Sequence, residues 1–297
     1  MEEFVQLLVN GLVTGSIIAI GAIGLTLVYG ILRIVNFAHG DYLTFGAYMA
    51  FIANVTLFDL NMVLAAAFAM GTAAGLGVMI DYLLWRPMRK KRAGLISLFI
   101  TSIGVALVLR HLLFIWFGAS SRRFDVNVFQ VFEIGFINLS QSQIISVVVA
   151  SGAIVLVGLT LAKTKIGKGM RAVSDDPALA AVAGIDVDRI TLYTWILSSA
   201  LAGLAGVLQG LVQNAFNPNM GFSLLLPIFA AVILGGVGSA YGALAGGIAL
   251  GVAMELSTWD VFVGGVPHVY KIVVAFCVLI LVLIVRPQGV FGRARIV

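Results

Sequence analysis

Asn36, His39 and Asp41, with Gly40 between the last two, are the sharpest group of chemistry-bearing side chains here, because VNFAHGDYLTFG interrupts an otherwise apolar run. An amide, an imidazole and a carboxylate at this spacing can hold and release a polar solute, and Gly40 leaves backbone groups open to close approach. Placing an ionisable side chain in hydrocarbon costs at least about 2.5 kcal/mol on insertion scales, so such groups face a cavity or a partner. Two readings follow. The group lines or gates a solute path, or it caps a broken helix and binds backbone carbonyls. A second interruption, Gly235, Gly236, Gly238 and Ser239 in LGGVGSAYGALAGG, occupies a roughly corresponding place in the second half. Paired interruptions point to an internal duplication around a path at the midplane; glycine-mediated helix contact alone would also produce the second.

Other polar residues in apolar surroundings have simpler expectations. Arg110 and His111 stand close enough to the end of their run to snorkel to a lipid interface. Glu255 is expected to be solvated at the outer end of its segment, and Asp81 to reach the inner interface near Arg86. Tyr270 and Lys271, with Trp259 and His268, read as an interfacial anchor. The single cysteine, Cys277, reads as a buried structural thiol, and one cysteine allows no internal disulfide. No G-x-x-x-x-G-K-[ST] phosphate loop, H-E-x-x-H or Cys/His ligand cluster occurs, nor a nucleophile beside a base, so neither ATP hydrolysis nor metal chemistry is expected of this chain. No filter-like ring sequence or arginine-rich sensor suggests a channel.

The elements that must position these residues follow from composition. Of 297 residues 61% are hydrophobic and only 10% charged, and the mean hydropathy is +1.10. That excludes an ordinary soluble domain, with its roughly 25% charged residues, and several runs approach the ~20 residues a helix needs to cross a bilayer. The 34 glycines suit close helix packing. The expected fold is therefore all-α, one polytopic transmembrane bundle over residues 1–297. Crossings are read at Phe4–Tyr29, Ile34 to about Val55, Met62–Trp85, Ala93–Phe117, Ile144–Ala162, Thr191–Val212, two within Phe222–Ser257 broken near Gly235–Gly242, and Tyr270–Val285. That makes about nine, within a range of eight to ten. Between the fourth and fifth, Gly118–Gln143 with Phe124, Phe129, Phe132 and Phe136 is expected to form an interfacial hairpin or helix. The N-terminal MEEF lacks the basic region of a signal peptide, so the first run is taken as a retained span.

Charge sets the expected orientation. Of 18 basic residues, five lie in Arg86–Arg92, five in Lys163–Ile190 and three at Arg286, Arg293 and Arg295, with Arg33 after the first span. If these segments are cytoplasmic, 14 of 18 obey the positive-inside rule, with the N-terminus outside and the C-terminus inside. The basic balance then reports topology, and no nucleic acid is implied.

Lys163–Ile190 is the largest polar island, holding nine charges in 28 residues. Within it Asp176 suits an N-cap, Pro177 the first helical position, Ala178–Ala183 a helix and Gly184 its close. About two turns result, too short and too polar at the ends to enter a bilayer, and suited to docking on a partner.

RIVNFAHGDYLTFGAY (Arg33–Tyr48), GKGMRAVSDDPALAAVAGIDVDRI (Gly167–Ile190), LGGVGSAYGALAGG (Leu234–Gly247) and RPQGVFG (Arg286–Gly292) together resemble the H-type (LivH-like) permease subunit of branched-chain amino-acid ABC importers. The resemblance covers nearly the whole chain. It implies a multi-pass subunit of a bacterial inner membrane, paired with an M-type permease paralogue, driven by two cytoplasmic ATP-binding subunits and fed by an extracytoplasmic solute-binding protein. It implies no cofactor in this chain, since ATP is used by the partners. It also assigns Arg171, Ala172, Asp175, Asp176, Ala180, Ala181, Gly184 and Ile185 to the ATPase contact. A permease for urea or short-chain amides is the nearest alternative. From another class, an ion-coupled secondary transporter would use Asp41 or Glu255, yet would have no need of a capped docking helix.

Overall fold

The computed structural model describes residues 2–126, 130–135, 137–259, 267–286 and 289. The organising element is α1 (Glu2–Leu32), whose apolar window is 89% buried, so it runs through the middle of the bundle. An extended segment leads to α2 (His39–Phe51), which ends in a π-helical turn at Ile52–Thr56. α3 (Met62–Ile80) is capped by Asn61 and continues through a second π-helical turn, Asp81–Trp85, into α4 (Arg86–Lys90). The wider turn lies just ahead of Pro87, which has no N–H to give to the preceding turn. α5 (Leu95–Phe117) follows.

A two-stranded hairpin, β1 (Val131–Ile134) with β2 (Ile137–Ser140), leads into α6 (Gln141–Lys163). Ser140 and Gln143 form a reciprocal capping box at its start. The polar island folds as α7 (Lys165–Asp175) and α8 (Pro177–Val182). Then come α9 (Val187–Gln213), α10 (Met220–Gly235), α11 (Ala240–Leu256) and α12 (Lys271–Val285). Among the described residues five helices are long and apolar enough to cross a membrane, and α10, α11 and α12 are shorter apolar helices.

Small residues bring the central helices together. Gly11 and Gly15 on α1 face Gly247 and Gly251 on α11, both pairs four residues apart, and a Cβ at Gly11 would lie 2.7 Å from Val252 Cα. Between apolar helices in lipid, where burying hydrocarbon gains little, such backbone approach supplies the dispersion contact. α3, α5 and α6 are peripheral, with only 28%, 33% and 17% of their apolar windows buried. Their outward Leu, Ile and Val side chains suit lipid or another subunit.

The basic segments gather at one end. Ser174 Oγ donates to the Gly30 carbonyl (2.7 Å), Arg33 Nη2 to the Ser174 carbonyl (3.3 Å) and Arg86 Nη2 to Asp188 (2.7 Å). At the opposite end Gln6 exchanges hydrogen bonds with the Asn138 backbone, and Arg122 pairs with Phe216. Phe124 packs on Phe216, ring centroids 4.8 Å apart. Phe129 and Phe136, and RPQGVFG beyond Arg286 apart from Gly289, lie outside the described residues.

Candidate functional site

The first interruption is a re-entrant segment. α1 reaches the basic end at Leu32, yet His39 at the start of α2 donates through Nε2–H to the carbonyl of Gly21 (2.9 Å). Gly21 lies 11 residues back, about 16 Å up the helix, and residues 33–38 cover that climb because six extended residues span up to ~20 Å. Arg33, at φ +56°, makes the reversal. α2 therefore begins deep inside the bundle and runs to the opposite end, where Tyr48 packs on Phe117 and Phe216 and Asn54 Oδ1 accepts from the Asp125 N–H (2.9 Å).

The four residues singled out from sequence come together there. Asn36, His39 and Asp41 are all fully buried. Asn36 Oδ1 accepts from the Ala38 N–H (3.1 Å), while its Nδ2 has no partner among the described residues. A carbonyl can only accept, so His39 carries its proton on Nε2, and Nδ1 is an acceptor with no partner. Gly40 meets Gly221 of α10 backbone to backbone, so a Cβ on either would run into the other's carbonyl. Thr44 Oγ1 secures the contact by accepting from the Gly221 N–H (2.9 Å).

Asp41 departs most from expectation. Arg110 of α5 grips it with Nε at 3.0 Å and Nη2 at 3.2 Å, and the guanidinium lies 4.3 Å from the Phe222 ring centre. Arg110 thus points into the bundle, its side chain 12% exposed, instead of snorkelling, because a fully buried carboxylate offers what lipid cannot. Its neighbour His111 is exposed and bonds the Leu107 carbonyl (2.8 Å).

The remaining polar residues also find partners. Glu255 is buried rather than solvated: it accepts from Lys271 Nζ (2.6 Å) and from Thr14 (3.3 Å), which draws Lys271 away from an anchoring role. Trp259 packs against Phe4, centroids 4.9 Å apart, and the His268 side chain lies outside the described residues. Asp81 pairs with Arg89 (2.7 Å), three residues beyond Arg86 and across the π-helical turn Asp81–Trp85. Cys277 is exposed on α12, not buried, since that helix packs by its other side through Ala275 and Leu279.

The second interruption differs in depth from the first. Gly236–Ser239 is a turn between α10 and α11, with Gly236 and Gly238 at positive φ and Ser239 capping α11 through the Gly242 N–H (3.0 Å). Gly238 sits beside Gly30, so the turn lies at the basic end and not at the midplane. Gly235 closes against Gly242 in the hairpin that follows, which accounts for the glycines by packing.

In the island, Asp176 Oδ1 accepts from the Ala178 and Leu179 N–H groups (2.8 and 3.0 Å), and Gly184 takes φ +83°, as local chemistry requires. α7 buries Met170 and Val173 against Ile31, Ala180 and Ile190, which fixes α8 beneath the end of α1. Of the residues assigned to a partner contact, Arg171, Asp175, Asp176, Ala181 and Gly184 are exposed. Ala180 is buried, and Ala172 and Ile185 pack against that small core. Arg171 also donates to the Leu161 carbonyl. The large apolar side chains exposed on α8 are Leu179 (67%) and Val182 (87%).

A family described as the branched-chain amino acid transport system / permease component matches residues 7–283. The chain belongs to this family. It is 36% identical to the high-affinity branched-chain amino acid transport system permease protein BraD of Pseudomonas aeruginosa, over 99% of this chain and 97% of the relative. Against the permease protein LivH of Escherichia coli K12 it is 34% identical, with the same coverage. A probable LivH of Methanocaldococcus jannaschii is 31% identical over 97% of this chain and 92% of its own. Among solved structures, PsaBC from Streptococcus pneumoniae in complex with Fab superposes with a TM-score of 0.52 at 17% identity, over 95% of this chain and 91% of that one. That likeness concerns the fold alone. Membership in a permease family fits a polytopic apolar bundle with a buried polar group inside it.

Proposed function

We propose that this chain provides the membrane path by which branched-chain and other hydrophobic amino acids enter a bacterial cell, as one permease of an ATP-driven importer. Full-length similarity to relatives named for branched-chain amino acid transport carries this reading. The partners are an M-type permease, two ATP-binding subunits and an extracytoplasmic binding protein. The basic end faces the cytoplasm, with the N-terminus outside, the C-terminus inside and nine crossings, α2 being a partial one.

In this reading Leu179 and Val182 on α8, flanked by Asp175, Asp176 and Ala181, seat in a cleft of the ATPase. Movement of α7 and α8 reaches the path through Ser174, which is bonded to Gly30 and to Arg33 where the re-entrant segment begins. Shifting that segment moves Asn36, His39, Gly40 and Asp41 together, because they share one short half-helix. Those residues form the gate, and the buried Asp41–Arg110 pair holds it in the closed arrangement. A population of outward- and inward-facing states then follows ATP occupancy in the partners.

The test is uptake of labelled leucine by vesicles holding the complete complex, compared with vesicles lacking the ATP-binding subunits. ATP-dependent uptake lost without those subunits is the expected result. Uptake that survives their removal but collapses with the proton gradient would overturn it in favour of ion coupling.

A further inference from the structure

The surface between α3 and α5 serves neither the half-helix nor the island. Both helices pack on α2, and between them an open apolar groove of ≈ 540 Å³ remains. Met79 and Leu84 form one wall, and Ile100, Gly104, Val108 and Leu112 the other. From Ile100 to Leu112 the groove runs about 18 Å along α5, close to one leaflet of a ~30 Å hydrocarbon core. Gly104 widens it, since a Cβ there would meet nothing within 4 Å.

The basic end of this groove lies where α4 turns into α5. Of the five cations in that turn, Arg89 is paired with Asp81 and Arg86 with Asp188. Lys90, Lys91 and Arg92 are exposed and have no ion-pair partner among the described residues. These three cations thus lie in the turn that joins the two walls, beyond the end of the groove that Leu84 and Ile100 line. An acyl chain alone would fit any lipid; the cations select the headgroup, as basic sites between transmembrane helices do.

We propose that this groove binds one anionic phospholipid from the leaflet at the basic end, with an acyl chain between α3 and α5 and its phosphate on Lys90, Lys91 and Arg92. The site is separate from the amino-acid path and does not depend on which solute is carried.

The experiment is native mass spectrometry of the full-length chain in neutral detergent, titrated with phosphatidylglycerol or with phosphatidylcholine of the same acyl chains. With each basic residue worth roughly fivefold in surface attraction, phosphatidylglycerol should half-saturate the chain at least about tenfold lower than phosphatidylcholine. Replacing Lys90→Gln, Lys91→Gln and Arg92→Gln together should abolish that preference. Gly104→Leu adds bulk where a Cβ would meet nothing within 4 Å, and should weaken both lipids. Equal retention of the two lipids by the unaltered chain overturns the proposal, and so does an undiminished preference in the triple variant. Efficient cross-linking of Val108→Cys to the second permease in the assembled complex would place a protein in the groove and overturn it equally.

Discussion

Replacing Arg110→Met leaves the Asp41 carboxylate fully buried with both of its guanidinium bonds gone. Removing one partner of a buried pair costs about 3–5 kcal/mol, because the remaining charge keeps its desolvation penalty and loses its compensation. Replacing both members by apolar side chains, Asp41→Val with Arg110→Met, removes the two charges together, and exchanging a buried ion pair for well-packed apolar residues is often neutral or stabilising by about 1–4 kcal/mol. The single variant should therefore be strongly destabilised and the double variant close to the parent, as measured by reversible unfolding in mixed micelles. The same two proteins, assembled with their partners, would then be assayed for ATP-driven leucine uptake.

If the pair holds the gate closed, the stable double variant should show uncoupled ATP hydrolysis or uptake at least about tenfold lower, since about 1.4 kcal/mol shifts a two-state balance tenfold. Parental transport and coupling in a stable double variant would refute the gating role and leave the pair as a pin between α2 and α5. A single variant as stable as the parent would refute the buried geometry itself.

Three further outcomes are expected. Gly40→Ala drives a methyl into the Gly221 carbonyl and should cost about 1–3 kcal/mol through overpacking, read as lower yield and earlier unfolding of the complex. Leu179→Asp, alone or with Val182→Asp, should abolish copurification with the ATP-binding subunits while membrane insertion stays normal, whereas Ala181→Ser should leave copurification unchanged. Ser174→Ala removes a hydrogen bond worth about 1 kcal/mol between α7 and α1, and should lower uptake per ATP hydrolysed without loosening subunit assembly. Unchanged uptake per ATP would show that the island drives the path by another route.

Local chemistry made some of this legible in the sequence. Asp176, Pro177 and Gly184 define a short helix because capping and a positive φ act within a few residues, and the structure places α8 there. The breaks near His39 and between Gly235 and Gly242 were also visible, since polar or glycine-rich stretches interrupt apolar runs. What escaped is orientation around each helix. α5 is apolar on nearly every side, so no amphipathic stripe says which way Arg110 points, and its partner lies 69 residues earlier. Two opposite charges inside separate apolar runs were the available signal, because each is costly until they meet. The depth of the second break was hidden similarly: glycine marks close approach, but the sequence does not say at what height. In the island, the resemblance assigned Ala180 and Ala181 to the contact, and the winding of α8, which buries Ala180 and exposes Ala181, Leu179 and Val182, is a matter of orientation that the sequence does not state.

The buried pair also constrains how the protein is made. α2 leaves the ribosome well before α5, so Asp41 must wait without its cation while Arg110 has yet to be synthesised. Each charge costs about 2.5–3.5 kcal/mol near the centre of an isolated membrane helix, which makes α2, with only 13 α-helical residues, a poor candidate for insertion by itself. Both penalties fall once the two helices meet. Nascent α2 is therefore expected to linger at the edge of the bilayer and to settle only when α5 arrives, so the first half of the chain enters the membrane as one cooperative event.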